Sequence, residues 1–494
     1  MRVRCVAVLG ALLFVPTAIC RAQGSTVDLD AVVQRMMAQE GVVGASVLVA
    51  RGGTILLHKG YGSADLGLDA PTKDETVYHV VGPMLPFTGI AVLQLMERGK
   101  LSLDDDIAKY VPEFPLQGHH VTIRQLLNHT SGIVDYHYLG DPIEATSRQP
   151  KALDEVMALY AGKNWVNEPG AKWDWSISGF QLLVTVVERV SGQRFADYVQ
   201  QNILGPAGVK GTTYCDDFSL VHGLSHGYRK FENGYVPANE NDMAYNADLR
   251  FCSSVGDIYK LWESIRAKPL IQPKTFDLMT TAEGAAMHMS PQDPNAQYGF
   301  ATSINQEEGH RRIGQHGSLL GYSGSLYDFP ADGLTIVVLT NTEGQNAYAI
   351  TRALARTVLG LPQLPVIPAA PEKALEDKPV SAAERTQLAG TFVLQLDRLT
   401  PGLHDSFAQY RRTFRVFDED GRLMIQPLGE SPERLLKQDD GRFAMRSKPQ
   451  SRMTIAVHDG TAASLTMDPS EYGVPLSGAR VGAGDPATFH HQLQ

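Results

Sequence analysis

The chain has 494 residues, 43% hydrophobic and 20% charged, with 54 acidic against 44 basic side chains and a formal net charge of −10. That length exceeds what one ordinary core fills, so two domains are expected. The acidic balance, with no basic stripe, argues against nucleic acid or an anionic membrane as partner.

Taken in chain order, the first 22 residues read as a secretory signal. Arg2 and Arg4 form a basic start, Val6 to Pro16 an apolar stretch and Cys20-Arg21-Ala22 a small-x-small exit, with cleavage expected after Ala22. A lipoprotein reading centred on Cys20 is disfavoured by the large Ile19. No later run approaches the roughly 18 apolar residues of a membrane span. The mature chain is therefore expected to be secreted or periplasmic. Beyond the signal only Cys215 and Cys252 remain. An oxidising compartment permits a bridge between them, and two buried thiols are the equal alternative.

Residues 29–40 have helical spacing. "GASVLVARGGTILLHKGYG" places two apolar runs around Arg51-Gly52-Gly53, a β-hairpin signal. "FTGIAVLQLMERGKL" carries Phe87, Ile90, Leu93, Leu95 and Met96 at helical intervals, with Gly99 as a stop. Further helices are expected at 122–128, 152–161, 179–191, 194–203 and 346–359, and a second hairpin turns at Asp332-Gly333. Strands at both ends with helices between predict one α/β (α+β) unit whose terminal segments share a sheet. A Pro-rich linker at 363–383 follows. Short strand-like pieces separated by "EDG", "DDG" and "HDG" turns then predict a small all-β domain at 384–482, with a tail at 483–494.

"LQLMERGKLSLDDDIAKYVPEFP", "VTIRQLLNHTSGI", "EPGAKWDWSISGFQLLVTVVERVSGQRFADYV" and "GYSGSLYDFPADGLTIVVLTN" lie in order between residues 29 and 360. Together they resemble the framework of the serine β-lactamase, DD-peptidase and esterase superfamily, most closely its class C-like branch. The resemblance implies an antiparallel sheet flanked by helices, with a helical lobe. It also implies a Ser and a Lys three residues apart at a helix start, so that the amine takes the hydroxyl proton. A Tyr-x-Asn relay and a Lys-Thr-Gly or His-x-Gly strand complete such a site, beside backbone donors for the oxyanion.

The chain departs from that pattern at every motif. "YHVVGPMLPFTG" puts Gly82 at the nucleophile position and Leu85 at the base position. "WDWSISGF" puts Trp175 and Ile177 at the Tyr and Asn positions, and "IGQHGSLLGYSG" puts Gln315 at the His or Lys position, followed by His316 and Gly317. A register shifted by one makes His316 the motif residue and needs a one-residue deletion before Gly321. No Ser is followed three positions later by Lys, and no Tyr begins a Tyr-x-Asn. Neither G-x-S-x-G nor H-E-x-x-H occurs.

No catalytic residue is assigned on this reading, and no cofactor. Ser176, Ser178 and Ser318 are the alternative nucleophiles. His119-His120 and His490-His491 lack Cys or carboxylate partners at ligand spacing, so no metal site is expected. His129-Thr130-Ser131-Gly132 reads as a framework turn. The resulting expectation is an exported pseudoenzyme. Its cleft of Gly82, Leu85, Trp175, Ile177, Gln315, His316 and Gly317 is more apolar than an active relative's and is suited to a peptide, cell-wall or acyl-type ligand. The alternatives are an active hydrolase with a non-standard nucleophile, and a vestigial scaffold acting through a protein partner.

Overall fold

The computed structural model describes residues 28–136, 153–162, 165–215, 220–231, 234–238, 251–267, 270–289, 295–319, 321–364, 375–396, 411–428, 432–446, 451–468 and 475–483. The expected signal segment, residues 365–374 of the expected linker and the tail from 484, with His490-His491, lie outside them.

The strands of the larger unit are, in chain order, β1 (Gly44–Arg51), β2 (Thr54–Asp65), β3 (Ala70–Pro71), β4 (Tyr78–His79), β5 (Thr213–Tyr214), β6 (Tyr228–Phe231), β7 (Gly234–Pro237) and β8 (Phe251–Ser253). They continue with β9 (Gln297–Tyr298), β10 (Ser303–Glu307), β11 (His310–Leu319), β12 (Tyr322–Phe329) and β13 (Leu334–Thr340). Eight of them form one sheet in the order β3-β2-β1-β13-β12-β11-β10-β9. β1 pairs antiparallel with β13, Val47 opposite Val338, so the two ends of the unit share the sheet as expected.

The apolar runs of β1 and β13 are continuous because both faces are covered. Val47, Val49, Ile336 and Val338 pack with Val33, Ile350 and Leu354 of helices Leu29–Glu40 and Asn346–Val358. Leu48, Ala50, Val337 and Leu339 face the other way, into a core shared with helices Leu85–Glu97 and Ile177–Ser191. Gly52 and Gly53, at φ 56° and 78°, make the two-residue β1–β2 turn that only positive φ allows.

Caps set the helix ends. Thr122 and Gln125 form a reciprocal capping box at helix Ile123–Leu127. Ser176 caps helix Ile177–Ser191, which therefore starts two residues before the apolar spacing suggested. The expected helix at 194–203 is Phe195–Val199 running into a π-helical turn, Gln200–Leu204. Helices Val255–Ala267 and Pro273–Met279 were not predicted.

The C-terminal region is a β-barrel with a short helix, Ala382–Leu388, whose Leu388 joins the barrel's core. Strands β14 (Gly390–Leu396), β15 (Arg411–Glu419), β16 (Arg422–Pro427), β17 (Glu433–Lys437), β18 (Phe443–Met445), β19 (Arg452–His458), β20 (Thr461–Asp468) and β21 (Leu476–Gly482) close into a barrel. Asp420-Gly421 and Asp459-Gly460, all at positive φ, are the predicted Asp-Gly turns of β15–β16 and β19–β20. Phe392, Phe414, Ile425, Met445 and Leu465 fill the interior. Among the described residues no helix is long and apolar enough to cross a membrane.

Candidate functional site

The doorway segment runs from β4 to the start of helix Leu85–Glu97. Val80 N–H donates to Phe251 O at 2.8 Å, and Leu85 N–H donates to Gly82 O at 2.9 Å. Gly82 has φ +89°, and an ideal Cβ there would lie 2.4 Å from the His316 carbonyl carbon and 2.5 Å from Gly317 N. Gly317 and Gly324 are pressed from the other side: a Cβ on Gly317 would meet Val81 Cγ1 at 3.0 Å, and one on Gly324 would meet Val81 O at 2.7 Å. Three glycines thus let residues 81–83 lie directly on β11 and β12. At Gly82, where the resemblance implies a nucleophile, there is no room for a side chain.

The other expected cleft residues are mostly interior. Leu85 is 0% exposed and Ile177 1%, and both belong to the main apolar core. Trp175 is half-buried and packs at the edge of that core. Gln315 is buried, with its Nε2 donating to Tyr298 Oη at 2.7 Å and its Oε1 accepting from His316 N at 3.3 Å. Strand alternation sends His316 to the opposite face, where its ring stacks on Tyr348 at 4.2 Å and its Nδ1 meets Tyr327 Oη at 2.7 Å. Gln315 is therefore the side chain turned toward the helical lobe, and His316 is not. At the expected apolar cleft, Leu85 and Ile177 are packed into the interior, where close packing stabilises both side chains.

The alternative serines are committed to backbone. Ser176 Oγ accepts from Gly179 N, Ser178 Oγ accepts from Tyr136 N at 2.9 Å, and Ser318 Oγ donates to Tyr322 O and accepts from Gly344 N at 2.7 Å. These are capping and turn roles.

His129, in the left-handed region at φ 56°, is the centre of an aromatic box. Its ring lies 4.3 Å from Trp175, 4.9 Å from Phe180 and 4.9 Å from Tyr298. Its Nδ1 accepts from Ser176 N at 3.2 Å, which fixes the Nε2–H tautomer. Burial pushes His129 down to about 3, against the opposing field of Asp135. Burial, then the Arg312 charge, brings His316 down to about 4. Asp174 goes the other way, up to about 6, through burial and then the Asp135 charge.

These shifts set an acid response. Below the ordinary histidine value of 6.5, both imidazoles take up a proton in the unfolded chain first, so stability falls with pH toward their folded values of about 3 and 4. Each contributes a slope of at most about 1.4 kcal/mol per pH unit. Between 3.8 and about 6, Asp174 holds its proton only when folded and so offsets one of them. Urea unfolding followed from pH 7 to 5 should show a net loss, and His129→Gln should flatten it. A pH-independent midpoint over that range would contradict the buried neutral imidazoles.

His119 and His120 pair with separate carboxylates, Glu168 at 3.3 Å and Asp106 at 2.9 Å, and do not converge. Sequence reading missed a different cluster. Cys215 and Cys252 are joined as a disulfide with Cα atoms 5.7 Å apart. His79 stands beside them, its Nδ1 3.5 Å from Cys252 Sγ. The only available signal was the position of His79 in the doorway segment; nothing in the sequence links it to Cys215 or Cys252.

A sheet whose first and last strands pair, with a helical lobe on one face and a helix opening at the doorway, defines the penicillin-binding and β-lactamase class of fold. The comparisons agree: the sequence model of the Beta-lactamase family matches residues 29–360, and the chain belongs to that family. It is 27% identical over 424 residues to penicillin-binding protein 4* of Bacillus subtilis, covering 81% of this chain and 88% of that protein. It is also 27% identical over 367 residues to the esterase EstB of Burkholderia gladioli, covering 64% and 90%. The octameric penicillin-binding protein homologue from Pyrococcus abyssi superposes with a TM-score of 0.60 at 21% identity, over 91% of this chain and 99% of that one, a likeness of fold.

Proposed function

We propose that the chain is an exported, catalytically silent member of its family, a pseudoenzyme whose ancestral active site has become packed interior. The fold then acts as a binding scaffold and not as a hydrolase. The observation that carries this is Gly82 seated against the His316–Gly317 peptide, where neither a nucleophile nor an acyl group fits. Leu85 as the neighbouring residue removes the base as well. Export rests on the N-terminal signal pattern.

A second reading is favoured by one feature. Trp175 remains half-exposed, and Gly317, Ser318 and Leu319 at the end of β11 are half-exposed too. Beyond Gly314, β11 pairs only with β12 among the described strands. A peptide, cell-wall or acyl-type compound would lie on this rim, with its flat or extended part against the indole.

Nitrocefin and short p-nitrophenyl esters should be hydrolysed no faster than by denatured protein, and a fluorophosphonate or penicillin label should leave no adduct. Covalent labelling of Ser176, Ser178 or Ser318 would overturn the pseudoenzyme reading. Saturable quenching of Trp175 by acyl-peptides, lost in Trp175→Phe, would select rim binding over the scaffold.

A further inference from the structure

Among the described residues, one group of three metal-ligating side chains converges: His79, Cys215 and Cys252, with Nδ1 or Nε2 and both Sγ atoms all within 4.8 Å of one another. Three short elements bring them together. β4 supplies His79, β8 supplies Cys252, and Cys215 directly follows β5, with His79 opposite Cys252 and Thr213 opposite Cys252 in a three-stranded sheet. Both cysteines are buried, at 4% and 0% exposure, in a small apolar cluster of their own with Val77, Val221 and Leu224. The His79 ring is held edge-on by Tyr322 at 5.2 Å, which limits its rotation.

The His79 Nδ1, 3.5 Å from Cys252 Sγ, brings an imidazole nitrogen to the same point as the two sulfurs. Two thiolates and one imidazole within that span are the donor set of a tetrahedral d10 cation with one position left for water or a fourth ligand. We propose that Cys215, Cys252 and His79 form a Zn2+-class metal site that exists while the cysteines are a dithiol, so that metal binding and disulfide formation exclude one another.

The exchange balances with a disulfide oxidant. The two metal-bound thiolates lose two electrons and form the Cys215–Cys252 bond, Zn2+ and His79 are released, and the oxidant takes up two electrons and two protons to become two thiols. In the reverse direction a thiol reductant opens the bond, and the metal takes the place of two thiol protons. His79 ends β4, three residues before Gly82, so the exchange occurs at the root of the doorway segment.

The test uses the full mature chain, reduced with a phosphine under anaerobic conditions, freed of reductant and titrated with Co2+. One equivalent should bind, with thiolate-to-cobalt charge-transfer absorption and the intense visible bands of a tetrahedral site, and Zn2+ should displace it. Oxidised protein should show neither. Cys252→Ser should abolish the charge-transfer bands, and His79→Ala should weaken binding by about tenfold or more. Because a Cys variant could fail to fold, thiol alkylation of the natural reduced protein gives an independent measure: Zn2+ should slow it at both cysteines. Reduced protein that binds Co2+ no better than oxidised protein overturns the site, as does alkylation unaffected by Zn2+. Unchanged affinity in His79→Ala removes the third ligand and the proposal with it.

Discussion

Restoring the family's catalytic pair, Gly82→Ser with Leu85→Lys, is expected to unfold the β-lactamase-type unit instead of activating it. Serine at 82 must hold φ near +89° and drive its Cβ to 2.4 Å from a strand backbone. A non-glycine residue in such a conformation costs about 1–3 kcal/mol, and overpacking typically costs about 1–3 kcal/mol more. Lysine at 85 replaces a side chain with 0% exposure in the first turn of its helix. Full burial lowers a lysine by about 3–5 pKa units, equivalent to roughly 4–7 kcal/mol. The helix N-terminus adds unfavourable charge.

The sum, about 6–13 kcal/mol, is comparable with the roughly 5–15 kcal/mol that holds a typical domain. All four tryptophans, at 165, 173, 175 and 262, lie in the matched region, so their fluorescence reports this unit and not the barrel. The double variant should show unfolded emission in buffer. Adding Trp175→Tyr, Ile177→Asn and Gln315→His should not rescue it. A native-like urea midpoint for the double variant would mean that the doorway opens away from β11. Penicillin acylation of Ser at 82 would then have to be looked for.

Which parts of this could be read from the chain follows from how local each cause is. The helix around Phe87 to Met96, the Gly52-Gly53 hairpin and the Asp-Gly turns of the barrel are dictated by neighbouring residues, and they occur where expected. The pairing of β1 with β13 was legible because both runs are apolar throughout and lie at the two ends of the unit. Helix Val255–Ala267 was missed although Val255, Ile258, Leu261, Trp262 and Ile265 are all buried and Ser254 caps it, its Oγ accepting from Asp257 N at 3.2 Å.

The candidate site was legible as a set of residue types and not as a geometry. Gly82, Leu85 and Ile177 stand where the resemblance implies Ser, Lys and Asn, which residue type alone reveals. Nothing local states that the two walls touch, since that depends on Gly317 and Gly324, far along the chain. The side of β11 on which Gln315 and His316 lie needed the register, Gln315 opposite Leu326 and His316 opposite Ser325. The convergence of His79 with Cys215 and Cys252 is likewise a product of sheet pairing across distant segments.

The buried ion cluster behind the sheet should prove the most sensitive single position away from the doorway. Glu307, at the end of β10, is 2% exposed and accepts from Arg352 Nε at 2.8 Å and Nη2 at 2.9 Å. It also accepts from Arg356 Nη1, and the Arg356 side chain is only 5% exposed. Burial alone would raise the Glu307 carboxyl, but the two guanidinium groups outweigh it, and the net shift is downward. Glu307→Gln should cost about 3–5 kcal/mol, because the buried Arg356 keeps only the exposed Glu308, at 3.2 Å, as counter-charge. Arg352→Ala should cost less, since that guanidinium side is 31% exposed and its loss leaves the Glu307–Arg356 pair intact. Replacing both buried partners, Glu307→Leu with Arg356→Met, should recover much of the loss, because the charges left behind, Arg352 and Glu308, are 31% and 58% exposed. The pH dependence has a definite sign. The folded carboxyl ionises below its ordinary value of 4.5, so its contribution is present above 4.5 and is lost as pH falls through the lowered value. The Glu307→Gln variant should therefore lose less stability than the natural protein on acidification in that window. Urea unfolding by tryptophan emission measures all three variants. A loss below about 1 kcal/mol for Glu307→Gln would mean that water reaches Arg356 in the folded protein. Helix Asn346–Val358 would then be held to β10 and β11 by its apolar face alone, and the strand that closes the doorway would owe its position to packing.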